Sequence, residues 1–213
     1  MDEEYIESNI ALEKNERRKD ILLSQIRECF GRVVYSHKTH EKCADILGGY
    51  QSCLKYTQII ISAILSGSLL TALFQNGFAF QVLTAILSMI LTAINLFFKS
   101  NDFGKQSQEH KECASLLWDI RECYTSLIVD LQSGIVELEE FINRRDDLQK
   151  RLSMIYASAP STNNNAYKEA QKALKYKEDM TFSDVEIDAF LPSLLKQSNQ
   201  NGRKIIEQTK GEK

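Results

Sequence analysis

Two prolines and nine glycines are the only strong breakers in this chain of 213 residues. So few breakers, with no strand-like alternation of useful length, argue against a β sandwich or barrel and predict long helices. Charge is missing from one block: every Asp, Glu, Lys, Arg and His lies outside Tyr56–Phe98. A soluble helical domain spreads its charges because each helix needs a wet face, so this block argues against an ordinary soluble bundle. A basic stripe is missing too. The formal net charge is -3, and cations alternate with anions, as in Glu13–Asp20, which is a solvated helix face and no nucleic-acid footprint. Cysteine pairs are also lacking. Cys29, Cys43, Cys53, Cys113 and Cys123 are odd in number, form no CxxC and sit in helical segments, which fits a reducing cytosol. The acidic stretch Met1–Asp20 has no apolar h-region and is no signal peptide, so the first apolar segment is expected to act as an uncleaved anchor.

Catalytic signatures are missing as well. No phosphate-binding Gly-rich loop, GxSxG, HExxH or EF-hand loop occurs, so no catalytic or cofactor-binding residue and no enzyme activity is expected. One constellation touches metal chemistry. His40-x-x-Cys43 precedes the apolar block and His110-x-x-Cys113 follows it. If both arms are helical, the rise of about 1.5 Å per residue sets His40 level with Cys113 and Cys43 level with His110. Two His and two Cys suit tetrahedral zinc, but small cysteines in a helix seam with histidines at its edge explain the spacing more simply. The expectation is no metal.

What is present reads as an all-α protein, a two-span transmembrane helical hairpin extended by a cytoplasmic helical bundle. The predicted segments are an N-terminal cytoplasmic helix in 1–35, ending near Gly31, and a helical arm entering the membrane over 36–55, loosened at Gly48–Gly49. The hairpin occupies 56–98, with spans at 56–74 and 78–98, each long enough for about 30 Å of hydrocarbon. Gln75-Asn76-Gly77 supplies turn chemistry between them. Cytoplasmic helices follow in 99–157, with apolar stripes at Leu117, Ile120, Tyr124, Leu127, Ile128 and Leu131, and then at Leu138, Phe141, Ile142, Leu148, Leu152 and Ile155. A linker and short helices fill 158–195, including a capping box at Ser183–Glu186. A disordered tail is expected over 196–213. Lys38, Lys42 and Lys55 precede the hairpin and Lys99, Lys105 and Lys111 follow it, while its turn carries none. The positive-inside rule then keeps both termini in the cytoplasm of a cell whose inner membrane holds the hairpin.

The second span carries the most informative pattern. Gln81, Thr84, Ser88, Thr92, Asn95 and Lys99 recur at helical spacing and lie within roughly 60° of one line. Polar side chains inside a bilayer face protein or water, because lipid offers them no partner. The stripe is either glue between helices or the lining of an aqueous pathway. The first span is rich in small residues, and Ala63, Ser66, Gly67 and Thr71 are the helix-packing candidates, with Ala63-x-x-x-Gly67 permitting close backbone approach. The cytoplasmic stripes offer more apolar surface than an antiparallel helix pair can bury, which predicts a homo-oligomer.

Several strings, in order, resemble the SLATT family, two-transmembrane effectors associated with SMODS and SLOG proteins. They are Cys43-Ala44-Asp45 entering the membrane, then EHKECASLLWDIRECYTSL over Glu109–Leu127, RLSMIYASAP over Arg151–Pro160 and TFSDVEIDAFLP over Thr181–Pro192. The resemblance runs from about Ile21 to Leu195. It implies an effector of bacterial anti-phage conflict that forms membrane pores when a partner senses infection. The implied partner is a separate sensor or nucleotide-synthesising protein, a nucleotidyltransferase or, in one subgroup, a reverse transcriptase. It carries over no catalytic residues. The remaining alternative is a non-conducting membrane anchor or scaffold that recruits a partner enzyme.

Overall fold

Three-and-four spacing of apolar side chains decides how these helices pair. The computed structural model describes residues 2–74, 77–192 and 196, and among them all regular structure is helical. The predicted turn residues Gln75 and Asn76, and all but Lys196 of the predicted disordered tail over 196–213, lie outside the described residues. Two units divide the chain, Met1–Ala170 and Gln171–Lys213.

The first unit begins with α1, a single helix over Asp2–Phe74. At the usual rise, its 73 residues extend about 110 Å. The predicted break near Gly31 is therefore corrected, and so is the separate arm starting at 36. Glycine costs a helix interior roughly 1 kcal/mol. Here the buried positions Ile26, Cys29, Val33, His37 and His40 stay in phase across Gly31, and their shared burial outweighs that cost. Nor does the helix stop at Gly48–Gly49. Gly48 is a point of close approach, where an added Cβ would come within 3.4 Å of the Ser107 hydroxyl.

Helix α2 spans Phe78–Ser100 and α3 spans Phe103–Ser133. Asp102 caps α3, its carboxylate accepting from the Lys105 backbone N–H at 2.9 Å. Gly134 ends α3 with φ at 69°, the left-handed conformation that an L side chain rarely adopts. The Gly134 N–H reaches the Leu131 carbonyl and the Ile135 N–H reaches that of Asp130, a Schellman closure. That closure is followed by Ile135–Glu137, and α4 starts at Leu138 and runs to Ser158. Helix α5 covers Asn164–Tyr176.

Helices α1, α3 and α4 share one core. Tyr124, Phe141, Ile26, Leu117, Ile120 and Val33 are fully buried in it. Each such side chain contributes roughly 1.5–3 kcal/mol relative to exposure. Polar ties fix the third helix at the rim: Arg151 to Asp119, Arg145 to Gln25, and the Tyr156 hydroxyl donating to Ser36 at 3.0 Å. Leu117, Tyr124, Leu131 and Phe141, part of the apolar surface that predicted self-assembly, are buried within the chain, and Leu138 and Leu152 pack on the same core. That surface therefore gives no reason for oligomerisation. The second unit contains α6, Asp184–Phe190, opened by the predicted capping box. Ser183 accepts from the Glu186 N–H, and the Glu186 carboxylate accepts from that of Ser183.

Candidate pore face, its vestibule and the seam behind it

The seam of α1 continues beyond the core it shares with α3 and α4. Leu54, Gln58, Ile61, Leu65 and Ser68 are half-buried, spaced by three or four residues. Facing them, Thr84, Leu87, Leu91, Ile94 and Phe98 are half-buried on α2 with the same alternation. Helix α1 thus presents one stripe throughout, to α3 in its middle part and to α2 near its end. Among the described residues the apolar helix beginning at Phe78 is long and apolar enough to cross a membrane.

The predicted pore-lining residues are on one flank of this hairpin. Thr84 touches the seam, whereas Gln81, Ser88, Thr92, Asn95 and Lys99 are exposed. By helical geometry the centre of the stripe lies roughly 90° around α2 from the centre of the seam. The intramolecular partner therefore leaves the stripe uncovered. Some hydroxyls satisfy themselves: Thr84 donates to the Phe80 carbonyl and Thr92 to that of Ser88, each at 2.9 Å. Gln81, Ser88 and Asn95 make no side-chain hydrogen bond among the described residues. Such back-bonding lets a hydroxyl sit in an apolar environment at little cost, whereas an amide keeps its need for water or a partner.

The packing candidates of the first span also face outward. Ala63, Ser66 and Gly67 are exposed, and nothing lies within 4 Å of the position a Cβ on Gly67 would take. Ser66 donates to the Ser62 carbonyl at 2.9 Å. The Thr71 side chain lies outside the described residues. The α1–α2 contact thus does not use the small-residue face.

At the Lys99 end of the stripe, a cavity of about 560 Å³ opens between the helices, lined by Gln51, Lys55, Gln58, Asn95, Phe98, Lys99 and Asp102. The stripe and this vestibule share Asn95 and Lys99. One carbonyl oxygen of Gln51 is shielded from solvent there and has no hydrogen-bond partner.

Deeper in the α1–α3 seam lies a polar layer. His40 and His110 are buried and joined Nδ1 to Nδ1 at 2.9 Å, so one ring must donate and the other accept. His37 Nδ1 meets the Ala114 carbonyl at 2.8 Å, and the Ser107 hydroxyl donates to the Ala44 carbonyl at 2.8 Å. Burial holds the His40 imidazole down to about 4, with further lowering from His110 and His37. It lowers His110 as well, against a small opposing pull from Glu109. Cys43 and Cys113 are buried beside this layer, their thiols pushed up by burial. Among the described residues no group of three or more His, Cys, Asp or Glu is arranged to hold a metal ion. The residues of the zinc alternative instead pair His with His, because the register sets His40 opposite His110 and not opposite Cys113. Sequence reasoning missed this layer. Its only trace was three histidines at seam positions, His37, His40 and His110.

No curated protein and no solved structure matches the chain. Residues 22–186 match the SMODS and SLOG-associating 2TM effector domain family 4. That match takes in the α1–α3 seam, the hairpin, the cavity at its Lys99 end and the capping box of α6, and the chain belongs to this SLATT family of two-transmembrane effector domains.

Proposed function

We propose that this protein is a pore-forming effector of a bacterial anti-phage system, which oligomerises and permeabilises the inner membrane when a partner senses infection. One observation carries the reading. The seam that holds the hairpin together leaves most of the polar stripe of α2, about a quarter-turn around the helix, exposed among the described residues. In a bilayer, exposed amides at Gln81 and Asn95 need water or another protein surface. Two helices cannot enclose a water column, so several hairpins must contribute the same face, as closed symmetric assemblies do. The exposed Ala63 and Gly67 then serve packing between copies. Both termini are cytoplasmic, which leaves the bundle within reach of a separate sensor, a nucleotidyltransferase or a reverse transcriptase. Permeation itself needs no catalytic residue.

The self-bonded hydroxyls of Thr84 and Thr92 favour a second reading, a non-conducting anchor that recruits a partner enzyme. Replacing Ser88 and Thr92 together by Leu separates the two. Leucine suits a membrane helix, so insertion and assembly should survive. A pore should lose conductance and toxicity. Unchanged current would refute the assignment of the stripe, and dissolution of the oligomer would make it helix glue.

A further inference from the structure

The vestibule carries an unbalanced charge. Lys99 lies on the line of the stripe, one turn beyond Asn95, and shares the cavity with Lys55. Neither lysine has a carboxylate within salt-bridge distance among the described residues. The cavity has one acid, Asp102, whose carboxylate already accepts the Lys105 N–H at the start of α3. That helix start is the positive end of a dipole and offsets much of the anion's field. The stripe itself, Gln81 to Asn95, is uncharged.

We infer that the permeant species is an inorganic anion, chosen at the cytoplasmic mouth by a ring of Lys99 side chains with Lys55 behind it. This deepens the pore reading above and rests on it. Rings of fixed charge in a low-dielectric constriction raise the local concentration of counter-ions and exclude ions of like sign. A neutral channel interior then leaves the mouth to set the preference. Membrane topology alone would be satisfied by lysines anywhere around the helix. Only a lysine in line with Gln81–Asn95 would meet the permeating ion, and Lys99 has that position.

The test is a reversal-potential measurement on the purified full-length protein in planar phosphatidylcholine bilayers under a KCl gradient. Wild type should reverse on the chloride side of zero. Lys99→Gln should bring the chloride-to-potassium ratio towards unity, and Lys99→Glu should invert it. Lys105→Glu, the same charge change off the stripe, should leave the ratio as in wild type. A wild-type preference for potassium, or a ratio that Lys99→Glu does not move, overturns anion selection while leaving the pore in place. Absence of current at every voltage in bilayers, together with an inner membrane that stays polarised in phage-challenged cells carrying the whole system, overturns the pore and this inference together.

Discussion

Helix α1 uses one stripe in two solvents. Between Ile26 and Ala44 the stripe meets α3 and is buried. Between Leu54 and Ser68 it meets α2 and is only half-buried, and large side chains such as Ile60, Ile64, Leu83 and Met89 stay bare. The spacing rule is the same, but the force differs. In water the apolar stripe must be covered, so α4 closes over α3 and Tyr124 and Phe141 lose all exposure. In hydrocarbon the same apolar surface is already solvated, and helix pairing rests on packing and polar contacts alone. The half built from α1, α3 and α4 therefore holds the chain together, and the α1–α2 pairing contributes less to it.

The comparison is broken most readily at its strongest point. Phe141→Ala should cost about 3–5 kcal/mol of cytoplasmic stability, read as a lowered thermal midpoint of the detergent-solubilised protein. Leu87→Ala in the membrane seam should cost less than about 1.5 kcal/mol, because much of its surface meets lipid whether or not α2 is paired. Equal losses would mean that the two halves are held by one force.

Acid should act on the cytoplasmic half alone. The His40 imidazole sits at about 4, below its ordinary 6.5, and His110 is lowered too. The fold thus prefers neutral rings. Their contribution is complete above about pH 6.5 and is lost as pH falls from there towards 4, by roughly 3 kcal/mol for His40. With both rings charged, neither Nδ1 can accept from the other, and the pair becomes repulsive. Circular dichroism melts between pH 7 and pH 4 should show the loss. The double replacement His40→Leu with His110→Leu should abolish this acid sensitivity, and a variant as acid-sensitive as wild type would assign it elsewhere.

The smallest effect is expected at Gly31. An added Cβ there meets nothing within 4 Å, and the backbone is not left-handed. Gly31→Ala should stabilise α1 by roughly 0.5–1 kcal/mol. A destabilised variant would show that the helix needs to loosen at that point.

Much of this was legible in the residues. The absence of charge from Tyr56–Phe98 located the hairpin, because a charge in hydrocarbon is costly wherever the rest of the chain lies. The stripes on α3 and α4 and the capping box at Ser183 were legible because they obey local periods and local hydrogen bonds. The continuity of α1 was not. Gly31 and Gly134 look alike in sequence, yet Gly134 ends a helix in the left-handed conformation and Gly31 sits inside one. The difference comes from the packed stripe that continues past Gly31, which is a matter of tertiary contact. The same holds for the histidines. Spacing placed them on helices, but only the register between α1 and α3 set His40 against His110. It also made a neutral hydrogen-bonded layer of residues that could otherwise have been metal ligands. The fate of the cytoplasmic apolar surface was a third such decision. Residue types showed how much there was, and the return of α4 decided that it would be buried within one chain. Composition and period are properties of neighbours along the chain. Register, and the identity of what covers a face, depend on residues tens of positions away, and the fold alone brings those together.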